Sequence, residues 1–189
     1  MVQVDTCKIG PGLFQFTAID DCTRFRVLGL YKRRTVKNAV HFLIERMIEE
    51  FPFPIQRIQS DRGSEFFGIA FQKKLREYHI KFRPIPPGSP HLNGKVERSQ
   101  QTDLLEFYAI EDLSDPKLED HLYEWQFFYN WHRPHSSLGG KTPIDRLGDL
   151  LKQTPWSWEI YNQYNPRIEG FRERNYWADK KIRELKRSM

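Results

Sequence analysis

The chain has 189 residues, 39% of them hydrophobic and 29% charged, enough for one folded domain with an appendage and far too polar for a bundle of membrane spans. No apolar run approaches the roughly 20 residues that cross a bilayer. Nor does Met1-Val2-Gln3-Val4-Asp5 place a basic segment before an apolar one, so the sequence predicts a cytoplasmic protein with no membrane partner. The net charge is +5, and its excess sits at one end: from Pro166 to Met189, eight basic side chains stand against four acidic ones. That balance permits a nucleic-acid partner without establishing one. Cys7 and Cys22 are too few for a disulfide framework and read as free thiols.

In chain order, Val2 and Val4 alternate with polar neighbours in a first strand that ends at Asp5. Phe14 to Ile19 and Phe25 to Tyr31 are aromatic and β-branched. The polar stretch Asp20 to Arg24 lies between them, which predicts an antiparallel hairpin. Thr35 can cap a helix running to about Glu50, with Val36, Val40, Leu43, Ile44, Met47 and Ile48 on one face. Phe51-Pro52-Phe53-Pro54 breaks it, and Ile55 to Ser60 forms a short strand ending at Asp61. Helical spacing returns from Ser64 to Tyr78, and Ile80 to Arg83 can form another strand. Pro84 to Pro90 must be a loop, because four prolines in seven residues suit neither helix nor central strand. A helix follows from about Asn93 to Tyr108. Another starts at Asp115-Pro116, carries Leu118, Leu122, Trp125 and Tyr129 as a stripe, and stops before Pro134. Strands then helices in this order make a mixed α/β layout, with a sheet covered on both faces. From about Pro155 the character changes to alternating aromatic and polar residues, an arm or a small subdomain.

Three acids stand where a metal site could use them. Asp5 and Asp61 lie at strand ends, and Glu97 lies in the helix after the proline loop. Strand ends under a covering helix bring side chains together in α/β folds. Phosphodiester chemistry at neutral pH needs an activated oxygen and charge stabilisation at phosphorus, which two Mg²⁺ ions about 3.5–4 Å apart can supply. Mg²⁺ takes oxygen ligands, so carboxylates suit it. Against this stands chance: with 25 acids in the chain, suggestive trios arise anyway.

The flanking residues narrow the choice. Gln3-Val4-Asp5-Thr6, Ile19-Asp20-Asp21-Cys22-Thr23-Arg24-Phe25, Gln59-Ser60-Asp61-Arg62-Gly63-Ser64-Glu65-Phe66 and Pro87-Gly88-Ser89-Pro90-His91-Leu92-Asn93-Gly94-Lys95-Val96-Glu97-Arg98 resemble the DDE-type integrase catalytic core. Tyr129-Asn130-Trp131-His132-Arg133-Pro134-His135-Ser136-Ser137-Leu138-Gly139, then Thr142-Pro143, is similar to the segment that closes this core in bacterial insertion-sequence transposases. Several motifs in the right order carry more weight than one. The resemblance implies an RNase H-like mixed sheet flanked by helices over residues 1–150. The extension over 151–189 lies beyond the resemblance, and its aromatic and basic composition suits an interface or a DNA-contacting arm. It implies Asp5, Asp61 and Glu97 as catalytic, metal-binding residues for Mg²⁺ or Mn²⁺, two ions per site. The implied activity is a polynucleotidyl transferase that cleaves transposon-end DNA and joins 3′-hydroxyls to target DNA, acting as a dimer or larger homo-oligomer. An RNase H-like nuclease that only hydrolyses, or a catalytically silent DNA-binding or assembly module, is the alternative. Family members carry a DNA-binding region ahead of the core, whereas four residues precede Asp5, so a fragment or shortened chain is expected. Arg62 stands where the family often has Asn.

Around the triad, Asn93 and Gly94 read as a DNA-positioning junction or as a helix cap. Lys95, Arg98 and Gln101 are spaced to line the helix near Glu97 and contact DNA, with Arg62 and His91 beside them. His132 and His135 read as hydrogen-bonding within the fold. Arg24, Arg26, Lys32, Arg33 and Arg34 read as a solvated edge.

Overall fold

A computed structural model describes residues 1–153, apart from Arg62 and Pro87. The aromatic and basic stretch after Gln153 lies outside the described residues. Five strands form one sheet in the order β3-β2-β1-β4-β5: β1 Val2–Gly10, β2 Leu13–Asp20, β3 Arg26–Tyr31, β4 Arg57–Ser60 and β5 Lys81–Pro84. β1, β2 and β3 pair antiparallel, while β4 pairs parallel to both β1 and β5. Met1–Asp149 forms one compact unit.

The β2–β3 hairpin has the expected pairing, with Ile19 opposite Arg26. β1 is longer than its sequence suggests. It runs past Asp5 to Gly10 and turns through Gly12, whose φ of +65° suits glycine. Asp5 therefore sits within a strand. It does mark the end of something else: the parallel pairing of β1 with β4 stops at Val4 opposite Ser60.

Alternation divides the sheet into two faces. Val2, Val4, Phe16, Ala18, Val27 and Ile58 pack under α1 Val36–His41, the π-helical segment Phe42–Met47, α3 Ser64–Phe67 and α4 Ile69–Glu77. α2 Ile48–Glu50 completes the first helix run. Thr35 caps α1 by accepting from the Asn38 N–H at 3.2 Å. The single helix expected over Ser64 to Tyr78 is broken at Gly68, whose ψ is +141°. A Cβ at Gly68 would stand 2.3 Å from Val36 Cγ2, so α1 crosses where only glycine fits.

The opposite face is polar. Gln3, Gln15, Thr17, Arg26 and Gln59 are buried there, beneath α5 Gly94–Glu106 and α6 Leu118–Trp131. A small apolar cluster of Leu28, Phe107, Tyr108, Leu118 and Leu122 seals its far end. Arg26 is fully buried, and this corrects the reading of its stretch as a solvated edge. Its guanidinium bonds Asp103 at 2.7 Å and Ser99 Oγ at 3.0 Å and lies 3.3 Å from the Tyr129 ring centroid. Asp103 also accepts from Gln15 and from the Trp125 indole. β3 is an edge strand, and α6 covers its outer backbone groups. Asn130 bonds both N–H and C=O of Arg26, and Gln126 accepts from the Leu28 N–H. These contacts remove an edge that would otherwise invite pairing with another chain. α6 begins at Leu118, later than Asp115-Pro116; Asp115 instead builds the turn before it by accepting from the Lys117 N–H. α7 Pro143–Gln153 ends the described chain.

Candidate active site

The sheet register builds the site. Val4 pairs with Ser60 in parallel, so the next residues, Asp5 and Asp61, emerge from neighbouring strands. Asp5 follows Gln3 in alternation, and Gln3 Oε1 accepts from the Val96 N–H at the start of α5. Both residues therefore face α5, the helix that carries Glu97. On β4, Gln59 donates to the Leu92 carbonyl at 2.7 Å and anchors the turn that leads into α5. Two glutamines thus pin the helix start over the place where the parallel pairing of β1 with β4 ends.

Asn93 connects the carboxylates. Its side chain makes no capping bond, which removes helix capping as its role. It lies buried, with Nδ2 3.3 Å from Asp5 Oδ2 and 3.5 Å from Glu97 Oε1. Asp5 Oδ1 accepts from the Thr6 N–H at 2.8 Å, and Asp61 Oδ1 accepts from the Gly63 N–H at 2.9 Å. Burial pushes the Asp5 carboxyl up to about 7, with the charges of Asp61 and Glu97 adding to the rise while the Thr6 N–H and Asn93 oppose it. Asp61 and Glu97 are exposed. A fourth acid, Glu65, is buried nearby and accepts from Thr6 Oγ1 at 2.6 Å. The sequence reading passed over it because an acid in the first turn of a helix reads as solvated.

Among the described residues, no three Asp, Glu, His or Cys side chains are already drawn together as a finished ligand set. The donor chemistry nevertheless fits a hard divalent cation. All three candidate donors are carboxylates, their mutual repulsion weakens ionisation of Asp5, and the partner now between Asp5 and Glu97 is a neutral amide.

The candidate DNA-contacting residues divide into groups. Lys95 is tied to Asp21 at the β2–β3 turn through Nζ and Oδ1. Lys95, Arg98, His91 and Gly94 line a polar cavity, and Gln101 is exposed outside it. A Cβ at Gly94 meets open space, so no neighbour within the described chain requires glycine there. Arg62 lies outside the described residues. The same cavity takes in Arg24, Arg133, His135 and Ser137, which sequence reasoning did not join to the site.

Residues 1–90 match one model described as integrase core domain, and residues 78–143 match a second model with the same description. The chain belongs to the integrase core domain family. This integrase core is 28% identical over 175 residues to a putative integrase of Spiroplasma virus SpV1-C74, covering 79% of the chain and 48% of the relative. It is 26% identical over 148 residues to an uncharacterised 39.2 kDa protein of insertion element IS476 from Xanthomonas euvesicatoria, covering 72% of the chain and 40% of the relative. The chain thus spans less than half the length of these curated relatives. The catalytic core of BIV integrase superposes with a TM-score of 0.66 at 17% identity, covering 80% of this chain and 96% of that one. The HTLV-2 integrase catalytic core, determined in complex with magnesium in a trimeric form, gives 0.61 at 20% identity, covering 76% and 93%. At these identities the likeness establishes the fold, an RNase H-like mixed sheet flanked by helices. Among the described residues, no helix is long and apolar enough to cross a membrane.

Proposed function

We propose that this integrase core is the catalytic part of a DNA transposase, cutting transposon-end DNA and joining its 3′-hydroxyl to target DNA, with Asp5, Asp61 and Glu97 holding Mg²⁺ or Mn²⁺. The observation that carries this reading is the register of β1 against β4. It sets Asp5 beside Asp61 under the helix that bears Glu97. Bound there, divalent metal would activate the attacking oxygen and stabilise charge on the leaving one.

The chain's own residues have the remaining tasks. Asp5 is held by the Thr6 N–H on one oxygen, so its other oxygen is the one turned toward Asn93 and the helix. Asn93 spaces Asp5 and Glu97 and would give way to a bound cation. Arg98 and His91 are exposed on the adjoining wall, where phosphates would meet them. In joining, the 3′-oxygen forms a new bond to the target phosphorus as the target's P–O3′ bond breaks. The attacking hydroxyl loses its proton and the departing oxygen gains one. Bond types are conserved, so the step needs no external energy source. Joining two ends calls for two such sites, which makes a homo-oligomer the working form. Residues 151–189 would then serve as an arm toward a partner chain or DNA.

The test is a joining assay with the full chain, duplex oligonucleotides ending in a 3′-hydroxyl, and Mg²⁺. Longer products are expected from the parent protein and none from Asp61→Asn, with DNA affinity retained because it depends on Lys and Arg. Normal joining by Asp61→Asn would overturn the assignment. Nicking without joined products would favour an RNase H-like nuclease.

A further inference from the structure

Beside α5 opens a cavity of about 480 Å³ whose wall does not include Glu97. It is bounded by the first half of α5, the β2–β3 turn and the segment after α6. Among the described residues its wall contains Arg24, Lys95, Arg98 and Arg133 and no carboxylate. Lys95 and Arg133 are neutralised by Asp21 and Glu106. Arg24 and Arg98 have no carboxylate partner among the described residues, so their charge is available to an anion.

One residue of the wall, His135, carries an unmet acceptor. His135 is only 8% exposed, and its Nε2 is buried without a hydrogen-bond partner. Its ring packs edge-on against Tyr129 with centroids 4.4 Å apart, and its hydrogen bond goes to the Tyr129 backbone. Burial and Arg133 depress its pKa to about 4, so the ring is neutral at physiological pH and Nε2 offers a lone pair. A phosphodiester has no N–H or O–H to give that lone pair. A nucleotide has both features, an anionic phosphate and an N–H on its base. A second cavity of about 250 Å³ shares Arg24 and Ser137 with the first and adds Arg146, together with Lys141 and the Asp149 carboxylate that pairs with it at 2.6 Å. Arg146 therefore extends the positive wall beyond one nucleotide, as a strand requires and a free nucleotide does not. The first cavity is of a size for one small ligand and too confined for stacked base pairs.

We propose that this cavity seats one unpaired nucleotide of a DNA strand, with its base toward His135, its phosphate against Arg24 and Arg98, and the adjoining backbone crossing past Ser137 toward Arg146. The proposal rests on the DNA-joining reading and adds to it a strand-specific seat beside the catalytic helix.

The experiment measures anisotropy of labelled duplexes with the full chain at fixed salt and without divalent metal, comparing a blunt duplex with one carrying unpaired nucleotides at one end. Two variants are used. Ser137→Trp fills the junction of the two cavities at an exposed position, and Arg24→Glu reverses a wall charge; melts verify that both fold. The parent chain should prefer the frayed duplex by about tenfold, the worth of one well-seated base. Both variants should lose that preference, scored as the ratio of frayed to blunt affinity because reversing a wall charge also weakens duplex binding. No preference in the parent, or a preference surviving in either variant, overturns the proposal. So does displacement of the strand by a deoxynucleoside monophosphate as effectively as by unlabelled strand, which would mark a free-nucleotide site. Joining is scored separately. A parent chain that prefers the frayed end but never joins DNA would refute the transposase reading and leave this seat standing.

Discussion

Replacing Asp5 by Asn should stabilise the metal-free protein at alkaline pH. Asp5 has a folded-state pKa of about 7 against an ordinary 3.8, chiefly through burial and then through Asp61 and Glu97. The sign follows from linkage. A carboxyl raised by folding favours the protonated form in the native state, so the native state is penalised as pH rises from 3.8 through 7. Above that window the difference of about three units amounts to at most about 4 kcal/mol. At roughly 2–4 °C per kcal/mol for a chain of this size, the ceiling on the gain in Tm is roughly 8–16 °C. Asn retains the oxygen that accepts from the Thr6 N–H, and it removes the charge. The assay is a series of melts in chelator from mildly acidic to alkaline pH, taken as the difference between variant and parent. The difference cancels other titrating groups, His135 above all. The variant should gain on the parent as pH rises and match it once Asp5 is protonated. Mg²⁺ at alkaline pH should raise the parent's Tm and leave the variant's unchanged. An Asp5→Asn protein less stable than the parent at alkaline pH without metal would refute the reasoning, because Asp5 would then be holding the fold together as an anion.

Three further outcomes are expected. Arg26→Met strands Asp103 without its cation in a fully buried position, and should cost on the order of 3–5 kcal/mol in a denaturant titration; a loss below about 1 kcal/mol would mean that the Gln15 and Trp125 bonds satisfy Asp103 alone. Asn130→Ala uncovers the N–H and C=O of Arg26 on the edge strand, and should cost roughly 1–3 kcal/mol while raising the aggregation rate seen by light scattering; an unchanged Tm would show that water replaces the amide without cost. His135 is depressed from 6.5 to about 4, so its neutral form stabilises the fold above the ordinary value and that stability is lost as pH falls from 6.5 toward 4; His135→Gln should flatten this acid limb by about 2–3 kcal/mol, and an unchanged limb would contradict the burial assigned to the ring.

Much of the site was legible in the sequence because local signals agreed with the fold. Thr35 caps its helix, the β2–β3 hairpin pairs antiparallel as expected, and Glu97 falls on the expected helix, whereas Asp5 lies within β1 and not at its end. What escaped depended on neighbours distant along the chain. Arg26 alternates like a surface residue, but Asp103, Ser99 and the Tyr129 ring bury it. Gly68 interrupts a regular helical pattern because Val36 crosses it. Asn93 looked equally suited to capping, and the approach of β1 to α5 gives it Asp5 and Glu97 instead. The basic cavity gathers Arg24, Arg98 and His135 from three separate elements, and no single stretch of sequence carries its signature.

The central claim is that Asp5, Asp61 and Glu97 jointly hold a divalent cation. The most direct test is anomalous diffraction from crystals of this chain soaked in Mn²⁺. The account predicts an anomalous peak coordinated by oxygens of Asp5, Asp61 and Glu97, with the Asn93 amide displaced from between Asp5 and Glu97. Mn²⁺ bound elsewhere on an ordered protein, with these three carboxylates uncoordinated and Asn93 still bridging, would contradict it.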